Sequence, residues 1–291
     1  MPEQLRFTVP AEYDGKPAKI FLKGFCGLST RMITSLKREK EGIMLSGKIL
    51  RTVDPVFAGQ EIVITLPDED SPYIKPVGGE LDIRYEDSFL LIVNKPPYMP
   101  VHPVKQYQTD TLANRVMAHA QGRGERYVFR AVNRLDRNTS GLVMTAKDRY
   151  TVNKLKNRVH KVYYALVHGE LNGSGTVSEP IGLKEDSKIV RHVLSEGTPA
   201  VTHYESVYSK KEYSLIRLWL ETGKTHQIRC HMAYLGHPLS GDDLYGGSRE
   251  IIPRQALHCA EMTFVHPVTN REIIIKTDLP KDFLIPFRNM I

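Results

Sequence analysis

Between Asn133 and Leu142 the chain reads Asn-Arg-Leu-Asp-Arg-Asn-Thr-Ser-Gly-Leu, and this stretch constrains the fold more than any other. Asp136 stands between Arg134 and Arg137, and a Thr-Ser-Gly turn leads into the apolar run Leu142-Val143-Met144. Positive charge on both sides favours the ionised carboxylate. An ionised carboxylate presented on a turn is a candidate nucleophile. An isolated Arg-x-Asp-Arg would more simply be a surface salt-bridge cluster, so the longer context has to decide.

That context is a series of blocks in a fixed order. Upstream are Val93-Asn94-Lys95-Pro96-Pro97 and Val101-His102-Pro103; downstream is Lys161-Val162-Tyr163-Tyr164-Ala165-Leu166-Val167-His168-Gly169. Leu220-Glu221-Thr222-Gly223-Lys224-Thr225-His226-Gln227-Ile228-Arg229-Cys230-His231 follows, then Gly236 to Asp242, Leu257-His258 and Phe264-Val265-His266-Pro267. Together they resemble the RluA-type pseudouridine synthases, in particular RluD-like members with an N-terminal S4-like domain, over roughly residues 80 to 276. Two positions depart from the pattern. Asn133 replaces a histidine and cannot titrate, and Lys224 replaces an arginine, keeping the charge but losing the bidentate fork.

The resemblance implies cleavage of the uridine N1–C1′ bond and rejoining through C5, with no cofactor and no metal. It makes Asp136 the catalytic carboxylate, which could attack C1′, add to C6 or help form a glycal. Arg229 is expected as its counterion in a site that excludes water. Tyr163 is expected to stack on the base and handle a proton. Tyr164, on the opposite face of the strand, is expected to pack. Arg134 is placed against the RNA near the vacated base position, since an enzyme acting on a base must take it out of the stack. Leu257 and Lys95 are expected to line the substrate pocket.

Bulk properties agree with an RNA partner. Lys and Arg number 40 against 33 Asp and Glu, a formal charge of +7. Three runs concentrate it: +5 over 23–51, +4 over 115–137 and +5 over 147–161. One run alone would be a solvated face; three, one of them carrying Asp136, favour a phosphate-binding surface. Cys26, Cys230 and Cys259 are widely spaced, which argues against a disulfide framework or a cysteine zinc site. No apolar run reaches membrane-spanning length and Met1 to Arg6 lacks a signal-peptide core, so a cytoplasmic monomer without membrane contact is expected.

Three other motifs fail on their own terms. Gly223-Lys224-Thr225 resembles the end of a P-loop, but the required first glycine would be Leu218. His226 and His231 are five apart and do not share a helix face. Gly173-Ser174-Gly175 lacks the strand–helix setting of a dinucleotide fold.

Residues 1–68 read as a small S4-like α/β unit, 69–79 as a linker and 80–291 as the catalytic domain. In the first unit Ser29 or Thr30 caps a helix carrying Met32, Ile33 and Leu36, and Ser46-Gly47 turns a hairpin. In the second, hairpins outnumber strand–helix–strand crossovers, predicting α+β with a largely antiparallel mixed sheet. Thr111 to Gln121 and Arg149 to Arg158 have helical spacing, and Thr225 is read as the cap of a helix ending at Gly236. The combined reading is a synthase acting on structured RNA, large-subunit ribosomal RNA before transfer RNA. The competing class is a non-catalytic RNA-binding or ribosome-assembly factor of the same fold. A metal-dependent nuclease would need more clustered carboxylates than Asp242-Asp243.

Overall fold

The computed structural model describes residues 3–67, 73–283 and 285. Two separate sheets organise them. The first holds β1 (Gln4–Thr8), β2 (Ile43–Leu45), β3 (Lys48–Ile49) and β4 (Glu61–Thr65) in the order β1-β4-β2-β3, all antiparallel. Helices α1 (Ala18–Gly24) and α2 (Thr30–Leu36) accompany it. The Ser29 hydroxyl accepts from the Met32 amide at 3.1 Å, which caps α2 and turns Met32, Ile33 and Leu36 into the core. Ser46 and Gly47, at φ 49° and 75°, form the tight turn between β2 and β3. The N-terminal strand and α1 carried no clear sequence signal.

The second sheet has ten strands. They are β5 (Ile83–Glu86), β6 (Leu90–Lys95), β7 (Arg130–Ala131), β8 (Ser140–Ala146), β9 (His160–His168), β10 (Ser174–Val177), β13 (Thr202–Ser209), β14 (Tyr213–Leu220), β15 (Leu257–Val265) and β16 (Glu272–Lys276). A short hairpin of β11 (Ile181–Leu183) and β12 (Arg191–Val193) stands apart. The main path of the large sheet is β10-β13-β14-β9-β15-β8-β6-β5, with β16 on β15 and β7 on β8. Among the described pairs only β15 and β8 run parallel, at His258–Ser140 and Cys259–Gly141. A side chain on Gly141 would strike the Cys259 backbone, so glycine in the left-handed region (φ 113°) is what lets the two strands close there.

Helices α3 (Leu112–Gly122), α4 (Arg149–Leu155) and α5 (Gln227–Tyr234) complete the chain. Thr111 and Asn114 cap α3 reciprocally. Helix α4 is shorter than its spacing predicts: Lys156 turns extended and Asn157 is left-handed (φ 60°), so Arg158 lies beyond it. The architecture is α+β with a mainly antiparallel mixed sheet.

Each sheet has its own apolar core, and Tyr150 of α4 is buried in the core of the first. The first four residues of the expected linker, 69–72, lie outside the described residues. Residues 75–80 run against α3: Asn114 donates to the Lys75 carbonyl at 2.8 Å and Arg115 to the Glu80 carbonyl at 3.1 Å. Among the described residues no helix is long and apolar enough to cross a membrane.

Candidate active site

The segment 133–139 connects β7 to β8, and the surrounding fold fixes its backbone point by point. Asn133 accepts from the Met144 amide at 2.9 Å and donates to the Leu142 carbonyl at 3.2 Å, tying the start of the loop to the strand that follows. Lys95, at the end of β6, donates to the Arg137 carbonyl at 3.2 Å and to that of Pro96 at 2.8 Å. Arg254 donates to the Asn138 carbonyl at 3.3 Å while a bidentate pair with Asp282 balances its charge. The Thr139 amide closes a turn onto the Asp136 carbonyl at 3.1 Å. Two buried basic side chains thus satisfy two adjacent loop carbonyls. Burial pushes the Lys95 ammonium down to about 7, with Arg254 adding to the effect and Asp136 opposing it.

The Asp136 carboxylate is 30 % exposed, and its two oxygens differ. Oδ2 accepts from Arg229 Nη1 at 2.9 Å; Gln255 Nε2 lies 3.5 Å away and His226 Nε2 3.6 Å away. Oδ1 has no hydrogen-bond partner among the described residues. Arg229 is held from behind by a fork onto Asp242, Nε to Oδ2 at 2.7 Å and Nη2 to Oδ1 at 2.8 Å, with the Tyr245 ring 4.9 Å from its guanidinium carbon. Burial works against the Arg229 charge, but Asp242 and Asp136 outweigh it and the guanidinium is held above its ordinary range. A side chain at Gly241 would strike the Arg254 carbonyl, so glycine at φ 75° lets the chain bring Asp242 under Arg229.

Asp136 opens onto a cavity of about 530 Å³ whose wall includes His102, Arg134, Arg137, Tyr163, Lys224 and His226. A smaller recess joins it and adds Arg229 and Leu257. Among the described residues Asp136 is the sole carboxylate on a wall otherwise rich in cations, an arrangement suited to a ligand that brings its own negative charge. A larger cavity of about 740 Å³ lies elsewhere, and several of its charged residues pair with one another: Lys147 with Glu86 and Glu125 at 2.9 and 3.1 Å, and Arg123 with Glu125 at 2.8 Å.

Tyr163 is buried, paired across the sheet with Leu218 and Cys259. Burial raises its phenol well above the usual range, and the nearby Cys259 thiol, pushed up to about 12 by its own burial, reinforces that. The phenol is therefore a neutral group near pH 7. Burial also holds His226 below the ordinary imidazole range, with Asp136 pulling the other way.

The structure thus brings Asp136, Arg229, Tyr163, Arg134 and Leu257 to one cleft. The arginines flanking Asp136 do not pair with it: Arg137 lies over the Tyr107 ring at 4.7 Å, and Arg134 is exposed on the rim, close enough to help depress His102. The structure differs from the sequence reading in two respects. Lys95 does not line the cavity; it lies beneath the loop. Thr225 does not cap α5. His226 occupies that position in a left-handed conformation (φ 58°), and the Gln227 side chain turns back to accept from the Lys224 amide at 2.9 Å.

Sequence reasoning also missed four neighbours of the pair. His226 and Asp242 both lie inside recognisable blocks, but nothing in the sequence ties either of them to Asp136 or Arg229. Tyr245 and Gln255 gave no local signal. Among the described residues no three His, Cys, Asp or Glu side chains gather as metal ligands would.

Comparison with known proteins agrees with this geometry. The RNA pseudouridylate synthase family pattern matches residues 89–234. An uncharacterized RNA pseudouridine synthase of Bacillus subtilis, YjbO, is 38 % identical over 268 residues, 89 % of this chain and 94 % of its own. Ribosomal large subunit pseudouridine synthase D of Vibrio parahaemolyticus is 35 % identical over 248 residues, 79 % and 76 % of the two chains. The solved structure of human RNA pseudouridylate synthase domain containing 1 superposes with a TM-score of 0.56 at 26 % identity, covering 68 % of this chain and 83 % of that one.

The fold and these relatives define an RNA-modifying isomerase. The chain belongs to the RNA pseudouridylate synthase family, whose members turn uridine in RNA into pseudouridine.

Proposed function

We propose that this enzyme isomerises specific uridines in structured large-subunit ribosomal RNA, with Asp136 as the nucleophile. The observation that carries the mechanism is the asymmetry of the Asp136 carboxylate: Oδ2 is tied to Arg229, while Oδ1 is unpartnered among the described residues. A carboxylate so held keeps its direction and has one oxygen free to react. Arg229 supplies the counterion and Asp242 aims it.

Tyr163 offers its ring as the platform for the flipped base, with Leu257, from the same face of the neighbouring strand, as its apolar neighbour. Its phenol stays protonated, so its part in proton handling is as a donor. Arg134, exposed and without an ion pair among the described residues, is free to reach the RNA and hold the space the base leaves. Lys95 acts indirectly, by clamping the loop that presents Asp136.

The ribosomal target is supported by the relatives described as ribosomal large subunit pseudouridine synthase D. It is supported too by the first sheet unit, read as S4-like, whose Lys37, Arg38, Lys40, Lys48 and Arg51 are exposed. Its occurrence as a monomer in the cytoplasm belongs to the same reading. Mapping pseudouridines in cellular RNA with and without the gene tests the target. Sites in large-subunit RNA that vanish with the gene are expected; losses confined to transfer RNA would move the assignment there.

A further inference from the structure

A second line of contacts reaches the Asp136–Arg229 pair, through a residue that does not line the cleft. Tyr245 follows Asp242 in a short helical turn. Its hydroxyl accepts the Arg191 backbone N–H at 2.9 Å and lies 3.0 Å from His226 Nδ1. A phenol has one proton to give. Arg191 already donates to the oxygen, which leaves the phenol proton free to be directed at Nδ1; Nδ1 is then the bare nitrogen. The His226 proton then sits on Nε2, the nitrogen 3.6 Å from Asp136 Oδ2. The ring of Tyr245 meanwhile contacts both partners of the carboxylate, edge-on to His226 with centroids 5.7 Å apart and face-on to Arg229 at 4.9 Å.

We propose that Tyr245 is a positioning residue for the isomerisation: its hydroxyl fixes His226 as the Nε2–H tautomer and its ring backs Arg229, so that both donors face Oδ2 and Oδ1 is left to react. The proposal rests on the reading of Asp136 as the nucleophile. At 3.6 Å the His226 N–H is beyond hydrogen-bond length, so in the resting enzyme it contributes an oriented dipole. A neutral imidazole suits this task, because a protonated one would compete with Arg229 for the carboxylate. The opposite tautomer would turn a lone pair toward Oδ2 and repel it.

Ring ¹⁵N shifts of His226 in the RNA-free protein test the tautomer directly. A bare Nδ1 and a protonated Nε2 are expected; a protonated Nδ1 would overturn the proposal. Tyr245→Phe keeps the ring and removes only the hydroxyl. The single-turnover rate at saturating RNA should fall roughly tenfold, the scale of one hydrogen bond, while RNA affinity stays the same. His226→Ala should lose at least as much. His226→Gln, whose amide N–H can stand where Nε2–H does, should recover part of it. An unchanged rate in Tyr245→Phe, or a loss confined to affinity, would overturn the proposal. Should that variant fail to fold, the His226→Gln and His226→Ala pair decides it: equal losses contradict the positioning role. Asp136→Asn measured alongside separates the two readings. Turnover retained there sinks the nucleophile itself, whereas a dead Asp136→Asn with a fully active Tyr245→Phe sinks only this inference.

Discussion

At the scale of single residues, the counterion of Asp136 comes from Arg229, far away in sequence, and not from the adjacent arginines. A tight turn sends Arg134 and Arg137 to the rim, where we expect Arg134 to meet the RNA. The two kinds of arginine should therefore fail differently. Arg229→Ala strands two carboxylates, one of them the buried Asp242. It is expected to cost about 3–5 kcal/mol of stability and to slow the chemical step on folded RNA and on a short single-stranded uridine substrate alike. Adding Asp242→Asn should restore much of the melting temperature and none of the rate, because Asp136 still lacks its partner. Arg134→Ala should hurt chiefly folded substrates, where a base must be unstacked, and Arg134→Lys should recover only part, since an ammonium does not stack as a guanidinium does. Single-turnover rates on both substrates make the comparison. Equal losses for Arg229→Ala and Arg134→Ala on both would refute the division.

At the scale of elements, the site depends on how β8 enters the sheet. Ser140 and His258 face each other across the parallel contact, Oγ to Nδ1 at 2.9 Å. Burial, aided by Arg254, pushes the His258 imidazole down to about 4. Between pH 4 and 6.5 the unfolded chain then binds a proton that the folded protein refuses, so stability rises with pH across that window. The contribution, roughly 3 kcal/mol, is complete above pH 6.5 and lost as the pH falls toward 4. His258→Gln should flatten the stability curve there while leaving it alone above about pH 7; a slope unchanged by the substitution would remove His258 as its cause. Much of this level was legible in the sequence. The Thr111 cap, the β8 run and the hairpin of β13 and β14 follow from local pattern. The His226 turn at the head of α5 did not, because Tyr245 holds the histidine and the Gln227 side chain holds the Lys224 amide before it, contacts that no local pattern announces. Nor did the loop clamp: Lys95 and Arg254 serve carbonyls 42 and 116 positions away, and a lysine before a proline looks the same whether it meets substrate or backbone.

At the scale of the molecule, two sheets keep separate cores joined through Tyr150. We expect the smaller unit to add phosphate contacts, which makes its effect salt-dependent. Changing Lys37, Arg38 and Lys40, all exposed, to serine should weaken binding of structured RNA. It should also lower the slope of log affinity against log salt by roughly 0.7–0.9 for each phosphate that is no longer neutralised. An unchanged slope would take RNA binding away from this surface. A truncated enzyme should begin at Tyr73 and not at Glu80, since the segment between them holds hydrogen bonds to α3. Such a truncation also exposes Tyr150 to water, so surface substitutions give the cleaner reading.

The account turns on Asp136, and tritium release from RNA carrying 5-tritiated uridine reads its chemistry directly. Asp136→Asn keeps the shape of the side chain and removes its charge. The variant should bind RNA with near wild-type affinity and release no tritium. Turnover retained by Asp136→Asn would contradict the assignment at its centre.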